Sequence, residues 1–218
     1  MASREEIFER AKKAIIAFDG SMAKEVAAQG LAEGIDPIEL MTKGFVSGIN
    51  EVGDLFGRGS LYLPELIMAA EVMQQVTEYL NATLKTTEQM QKAGIVVVGS
   101  VQGDIHDIGK TIVVAIFKAN GFEVHDLGRD VPVKRFIEEA QKVNADIIGT
   151  SALLTTTMPE QRALEEALKK AGLKGKYKTI VGGAPVTQRW ADRIGADAYA
   201  QDAAEGVKKA KQLLGGLL

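Results

Sequence analysis

From Ile95 onward, short apolar runs alternate with helical stretches, and this alternation restricts the fold more than any other feature of the chain. Strand candidates are residues 95–98, 122–124, 145–150, 179–181 and 198–200; helical stretches 107–120, 132–143, 158–171 and 187–194 lie between them, and 202–214 closes the chain. A strand that reaches the next through a helix runs parallel to it by a right-handed crossover. Five such units predict a flavodoxin-like (Rossmann-like), doubly wound, parallel five-stranded sheet in the order 2-1-3-4-5. Its ligand crevice lies at the carboxyl ends of strands 1 and 3.

The first 88 residues read differently. Ser3-x-x-Glu6 is a capping-box pattern, followed by Ile7, Phe8, Ala11, Ile15 and Phe18 at helical spacing. Residues 21–34 form a shorter helix closed by Gly34. Asp36-Pro37 with Glu39 starts another, which continues through Leu40, Met41, Phe45, Ile49, Val52 and Phe56. A fourth begins at Pro64 and runs to about Gln91. Four helices with short connections predict an N-terminal bundle. The expected organisation is a helical domain over 1–88, a linker at 89–93 and an α/β domain over 94–218.

Composition removes several classes of function. The chain has 218 residues and no Cys, so a disulfide, a thiolate-held metal and an iron–sulfur cluster are all excluded. A net charge of -3 argues against nucleic acid as a partner, because phosphate binding needs a basic face. No apolar run approaches the roughly 20 residues of a membrane span, and the charged start lacks a signal-like stretch, so the expectation is a cytoplasmic protein without a membrane partner. The basic run Lys169, Lys170, Lys174, Lys176 and Lys178, interrupted by Tyr177, reads as a solvated face.

Asp104-x-His106-x-x-Gly109 stands where the predicted first strand ends. A neutral imidazole at that exit can bind a metal, and a carboxylate two residues away can hold its second nitrogen in one tautomer. His125 ends strand 2 with no motif around it and reads as structural. Gly109 is expected to let the loop turn and the next helix pack near a bulky group. Gly103 and Gly109-Lys110-Thr111 imitate a phosphate-binding loop, but the G-x-x-x-x-G spacing is exceeded by one residue, which sets a nucleotide hydrolase aside. Ser151, Thr155, Thr156 and Thr157 make a hydroxyl-rich exit from strand 3, and one of them is expected to cap the following helix. Gly182-Gly183 is either a tight turn or a point of close backbone approach to a ligand; spacing leaves both open. In the helical half, Phe56-Gly57-x-Gly59 and Leu61 to Leu66 form an apolar connection that suits core packing or a lid.

The separations carry a resemblance. Between Gly109 and Ser151-x-Leu153 lie 41 residues, and 28 more precede Gly182-Gly183. With these three motifs in register, the chain resembles the cobalamin-binding family that includes the cobalamin-binding region of methionine synthase. Over its whole length it resembles the small methylamine-type corrinoid proteins that carry methyl groups.

The resemblance implies cobalamin bound base-off/His-on, with His106 as the metal ligand, Asp104 accepting from its other ring nitrogen and Ser151 supporting Asp104. It places Gly103, Ile105, Asp107, Gly109, Leu153, Thr155, Gly182, Gly183, Tyr199 and Ala200 at the cofactor, with Pro185 and the stretch to Asp202 beside its nucleotide tail. The helical half becomes a cap over the corrin, with Leu61, Leu63 and Met68 as candidate contacts and residues 85–92 as hinge. A charged hydrogen bond of about 1.5–3 kcal/mol equals about one to two pK units of imidazole basicity, so Asp104 is expected to couple ligand release to proton uptake.

No catalytic side chain is implied: the cofactor supplies the chemistry, alternating between methylcobalamin and cob(I)alamin. The implied partners are a substrate-specific methyltransferase for a methylated amine or related donor, an acceptor methyltransferase delivering to a thiol or tetrahydrofolate, and a reductive activase, in methanogenesis or acetogenesis. The alternative is a cobalamin-dependent sensor or regulator. That class usually adds a DNA-binding module, whereas all 218 residues here are spent on the two halves described. A mutase small subunit would lack the helical half.

Overall fold

The computed structural model describes residues 3–83 and 93–215. They fall into two compact units, a helical one ahead of the sheet and an α/β one that contains it. The expected hinge at 85–92, and the linker at 89–93 except residue 93, lie outside the described residues.

The helical unit contains α1 (Arg4–Ile16), α2 (Gly20–Ala32), α3 (Pro37–Leu40), a π-helical turn (Met41–Phe45), α4 (Val46–Gly57) and α5 (Leu63–Thr83). The capping box at α1 is formed: Ser3 accepts from the Glu6 amide and Glu6 accepts from that of Ser3. Asp36 caps α3, with Pro37 in its first turn, as the sequence indicates. The single third helix expected from 37 to 56 is a continuous run broken in register by the π-turn. There the Thr42 hydroxyl donates back to the carbonyls of Ile38 and Glu39, a local competitor to regular α-helical bonding. Apolar residues at helical spacing, Ile7, Ala11, Ile15, Leu40, Phe45, Ile49, Val52, Leu66, Met73 and Leu80, are buried.

Two glycines one turn apart bring this third helix close to α1. A Cβ on Gly44 would meet Ala11 Cβ at 2.8 Å, and one on Gly48 would lie 2.7 Å from Lys12 O and 2.8 Å from Ile15 Cβ. Interiors at crystal-like density have no slack for such a methyl group.

The α/β unit follows the expected alternation: β1 (Gly94–Ser100), α6 (Ile108–Ala119), β2 (Phe122–Asp126), α7 (Val133–Lys142), β3 (Ile147–Ser151), α8 (Met158–Lys170), β4 (Lys178–Gly182), α9 (Gln188–Ile194), β5 (Ala198–Tyr199) and α10 (Ala203–Leu213). The sheet has the predicted order β2-β1-β3-β4-β5, and every pairing is parallel. Buried parallel strands read as continuous apolar runs, which is why 95–98 stood out in the sequence. On one face Val97 and Ile148 pack with Phe136, Ala140, Leu164, Leu168 and Tyr177. Gly99 makes room for that layer, since a Cβ there would sit 2.9 Å from Phe136 Cζ.

The basic run from Lys169 to Lys178 is not uniformly a solvated face. Tyr177 is fully buried, and Lys174 turns onto Glu165 (2.6 Å), Asp197 and Thr179. Among the described residues no helix is long and apolar enough to cross a membrane.

The glycines of α4 separate packing from helix propensity. Gly48→Ala is expected to destabilise the protein by about 1–3 kcal/mol through overpacking. Gly53→Ala, with nothing within 4 Å of its added Cβ, is expected to stabilise it by about 0.5–1 kcal/mol. Urea unfolding of the two variants beside the parent measures both.

Candidate functional site

The parallel register Ser100↔Ser151 sets the ends of β1 and β3 side by side, and the loops leaving them meet at Asp104. Its carboxylate is 1 % exposed. Oδ1 accepts from the His106 amide (3.1 Å) and faces His106 Nδ1 (2.8 Å). Oδ2 accepts from the Leu153 amide (2.6 Å) and the Thr157 hydroxyl (2.8 Å). Burial on its own would raise the Asp104 pKa; the bonds from Leu153, the His106 ring, Thr157 and the His106 amide outweigh it and hold the value at about 2. The carboxylate is therefore ionised at neutral pH.

An ionised acceptor at Nδ1 requires the proton there, which leaves the lone pair on Nε2. Nε2 takes no hydrogen bond among the described residues, and the imidazole is 47 % exposed. The ring's main chain is fixed as well, because the Ser100 hydroxyl donates to His106 O at 2.6 Å. The two loops that meet at Asp104, with the start of α6, also carry four exposed apolar side chains: Ile105 (65 % exposed) and Ile108 (72 %) after β1, and Leu153 and Leu154 after β3. An isolated exposed Leu is ordinary, but four exposed large apolar residues on the segments leaving β1 and β3 call for a cover. Among the described residues no three His, Asp or Glu side chains are grouped to hold a metal ion. A metal bound through His106 must therefore bring most of its own ligands.

The expected site residues separate into groups. Gly103 adopts φ 79° in the turn before Asp104, and the Asp107 carbonyl accepts from Thr111 N at the start of α6. Gly109 has an ordinary φ, so the loop does not need it to turn; a Cβ there would meet nothing within 4 Å, and the open space beside it lies next to Ile108. Gly182 lies close to Ala200, whose carbonyl would be 3.2 Å from an added Cβ. Gly183 (φ 123°) is demanded by the fold itself, since a Cβ would fall 1.9 Å from Ala152 O. Tyr199 packs with the cluster of Val101, Ala152, Val181, Val186 and Ala191, while Ala200 turns toward Gly206 of α10. Pro185 is half-buried, and Asp202 caps α10. Thr155 is exposed.

One role moves. Ser151 was expected to support Asp104, but the hydroxyl that reaches it is Thr157. Thr157 occupies the N-cap position of α8 without making a side-chain cap bond, because its hydroxyl is engaged by Asp104 and by Leu154 O. The hydroxyl-rich exit was legible in the sequence; which hydroxyl turns inward was not. Lys110 was missed too. It is buried, with Nζ 2.6 Å from both oxygens of Asp126, so it is not free for a phosphate. His125 is structural, placed between Glu123 (2.8 Å) and Glu139 (3.6 Å).

In the helical unit, Tyr62 is the most exposed apolar residue of its stretch and Met68 is exposed, whereas Leu61 and Leu63 are half-buried. The Tyr62 amide donates to Glu65 at the head of α5.

Two family models, each described as a B12 binding domain, match residues 94–208 and 7–81. Trimethylamine corrinoid protein 1 of Methanosarcina mazei is 50% identical over 215 residues, 98% of this chain and 100% of that protein. Dimethylamine corrinoid protein 2 of Methanosarcina acetivorans is 48% identical over 219 residues, 99% of this chain and 100% of that protein. A chain in the crystal structure of the methanol:cobalamin methyltransferase complex from Methanosarcina barkeri superposes with a TM-score of 0.81 at 31% identity, covering 99% of this chain and 82% of that one.

Two experiments test the hub. Thr157→Val is expected to cost about 1.5–3 kcal/mol, the range for a hydrogen bond to a charged group, and Ser151→Ala under about 0.5 kcal/mol, as at positions without a specific role; chemical unfolding of the apoproteins compares them. For pH, the Asp104 pKa is depressed on folding to about 2, so its contribution is complete above the unfolded value near 4 and fades as pH falls toward 2. Between pH 5 and pH 3 the parent should lose more stability than Asp104→Asn, by urea unfolding at each pH.

Proposed function

The chain belongs to the corrinoid proteins built on the B12 binding domain, and from that premise we propose that it binds cobalamin through His106 and carries a methyl group between two methyltransferases. The observation that carries the proposal is the Nε2 lone pair of His106, oriented by an ionised, buried Asp104 on loops that also expose Ile105, Ile108, Leu153 and Leu154.

The residues present suit such a cofactor. A corrin would bring the metal ligands that the chain lacks, and covering the exposed part of these side chains would contribute about 1 kcal/mol each, since full burial is worth about 1.5–3 kcal/mol and each is already partly covered. The open space at Gly109 suits a bulky ring, and Gly182 and Ala200 at the β4 and β5 exits are proposed beside its tail on the family resemblance. When bound, the cobalt supplies the methyl-carrying chemistry.

The protein's part is positional. Asp104 holds the Nδ1 proton and so keeps Nε2 as a donor to the metal; Leu153 N–H, Thr157 and the His106 amide keep Asp104 in place. Were the ring to leave the metal, Asp104 would already face the imidazole at Nδ1 and would support a proton taken up at Nε2. Methyl loading from a methylated amine is the reading favoured by the tri- and dimethylamine corrinoid relatives. The partners are a donor-specific methyltransferase and an acceptor methyltransferase delivering to a thiol or tetrahydrofolate, with a reductive activase to restore the active metal. The helical domain, 1–88, serves as the cap that moves aside for each partner, and the reaction takes place in the cytoplasm.

Reconstitution with hydroxocobalamin tests the reading. The parent should give a histidine-ligated visible spectrum, His106→Ala should lose it, and Asp104→Asn should take up less proton on reduction than the parent. A parent spectrum unchanged by His106→Ala would overturn the assignment.

A further inference from the structure

We propose that Asp130, on the loop between β2 and α7, is a positioning residue for the metal ligand: it clamps the main chain of the loop that presents His106. The inference rests on the reading of His106 as the lower ligand and adds to it a group outside the Asp104–His106–Thr157 set.

Asp130 is tied to the ligand loop at two points. Its carboxylate Oδ1 accepts from Gly103 N at 2.7 Å, and its own amide donates to Asp104 O at 2.9 Å. The pair brackets the peptide unit between Gly103 and Asp104. The Asp104 side chain is fixed by its donors; Asp130 fixes the backbone from which that side chain and, two residues on, His106 extend. Among the described residues no hydrogen bond or ion pair joins Asp130 to the imidazole, so it acts through the loop.

The conformation explains the residue type. Asp130 sits at φ 54°, in the left-handed region where Asp, Asn and Gly are the residues most at ease. Gly lacks the acceptor, and Ala lacks both acceptor and ease.

The clamp has a rigid base. Lys110, buried within α6, binds both oxygens of Asp126 at 2.6 Å, and Asp126 also accepts from Gly128 N at 2.9 Å. Gly128 O accepts from Ser100 N, and Val131 N donates to Ser100 O, each at 3.0 Å. The loop is thus anchored to the end of β1 on both sides of Asp130. Ligand bonds tolerate displacements of only about half an ångström, so a support of this kind acts on how well the nitrogen meets the metal.

A double-mutant cycle tests this, with the Kd for hydroxocobalamin measured by equilibrium dialysis and the visible spectrum recorded for each protein. Asp130→Gly keeps the backbone conformation and removes the acceptor. It should weaken binding about tenfold, the low end for a charge-assisted bond because Asp130 is exposed, and diminish the histidine-ligated spectrum. Asp130→Asn, which retains an acceptor oxygen, should stay close to the parent. In the His106→Ala background Asp130→Gly should have no further effect. Equal weakening in both backgrounds, or none in either, would overturn the positioning role. Failure of the function reading looks different: His106→Ala alone would then bind as tightly as the parent and leave its spectrum unchanged.

Discussion

The site depends on one buried carboxylate whose charge is stabilised by hydrogen bonds, with no Lys or Arg among the described residues paired to it. Asp104 gathers the His106 amide and ring, the Leu153 amide and the Thr157 hydroxyl, which come from two loops 49 residues apart in sequence. Burial opposes its ionisation and the donors win. The consequence reaches the imidazole: a charged acceptor at Nδ1 settles the tautomer and leaves Nε2 as the nitrogen with the lone pair.

The fold makes this convergence inexpensive. In a parallel sheet all strands exit at the same end, so the β1 and β3 loops are neighbours wherever the two strands are paired. Gly99 and Gly183 keep the layers and exits close at points where a Cβ would collide with Phe136 or with Ala152. The His106 loop then hangs between two supports, the β3 exit through Asp104 and the β2–α7 loop through Asp130. One holds side chains and the other holds main chain.

Much of this was legible in the sequence. Apolar runs of strand length between helical stretches gave the strand order, and Asp104-x-His106-x-x-Gly109 marked the carboxylate–imidazole pair because its pairing is local: two residues of spacing suffice to put a carboxylate beside an imidazole. What was not legible depends on partners brought together by tertiary structure. Thr155, Thr156 and Thr157 differ only in the turn that follows β3, where the Thr157 and Met158 amides both bond Leu154 O; that turn, rather than any periodicity, directs Thr157 inward and leaves Ser151 aside. Spacing alone set the phosphate-loop reading aside, but the partner that buries Lys110, Asp126 16 residues away, was not readable from it. Tyr199 followed the alternation of its strand into the apolar cluster. The continuous third helix of the bundle concealed a π-turn, since hydrophobic spacing reports the buried face and not the hydrogen-bond register.

The central claim is that the His106 nitrogen meets the metal from beneath a corrin, and electron paramagnetic resonance of the protein loaded with cob(II)alamin tests it most directly. With histidine at natural abundance the account predicts a three-line splitting from one axial nitrogen, changing to two lines when the protein is made with nitrogen-15 histidine. Splitting that ignores the label, or none, would mean that the cofactor's own base or a water molecule holds the position and would contradict the account.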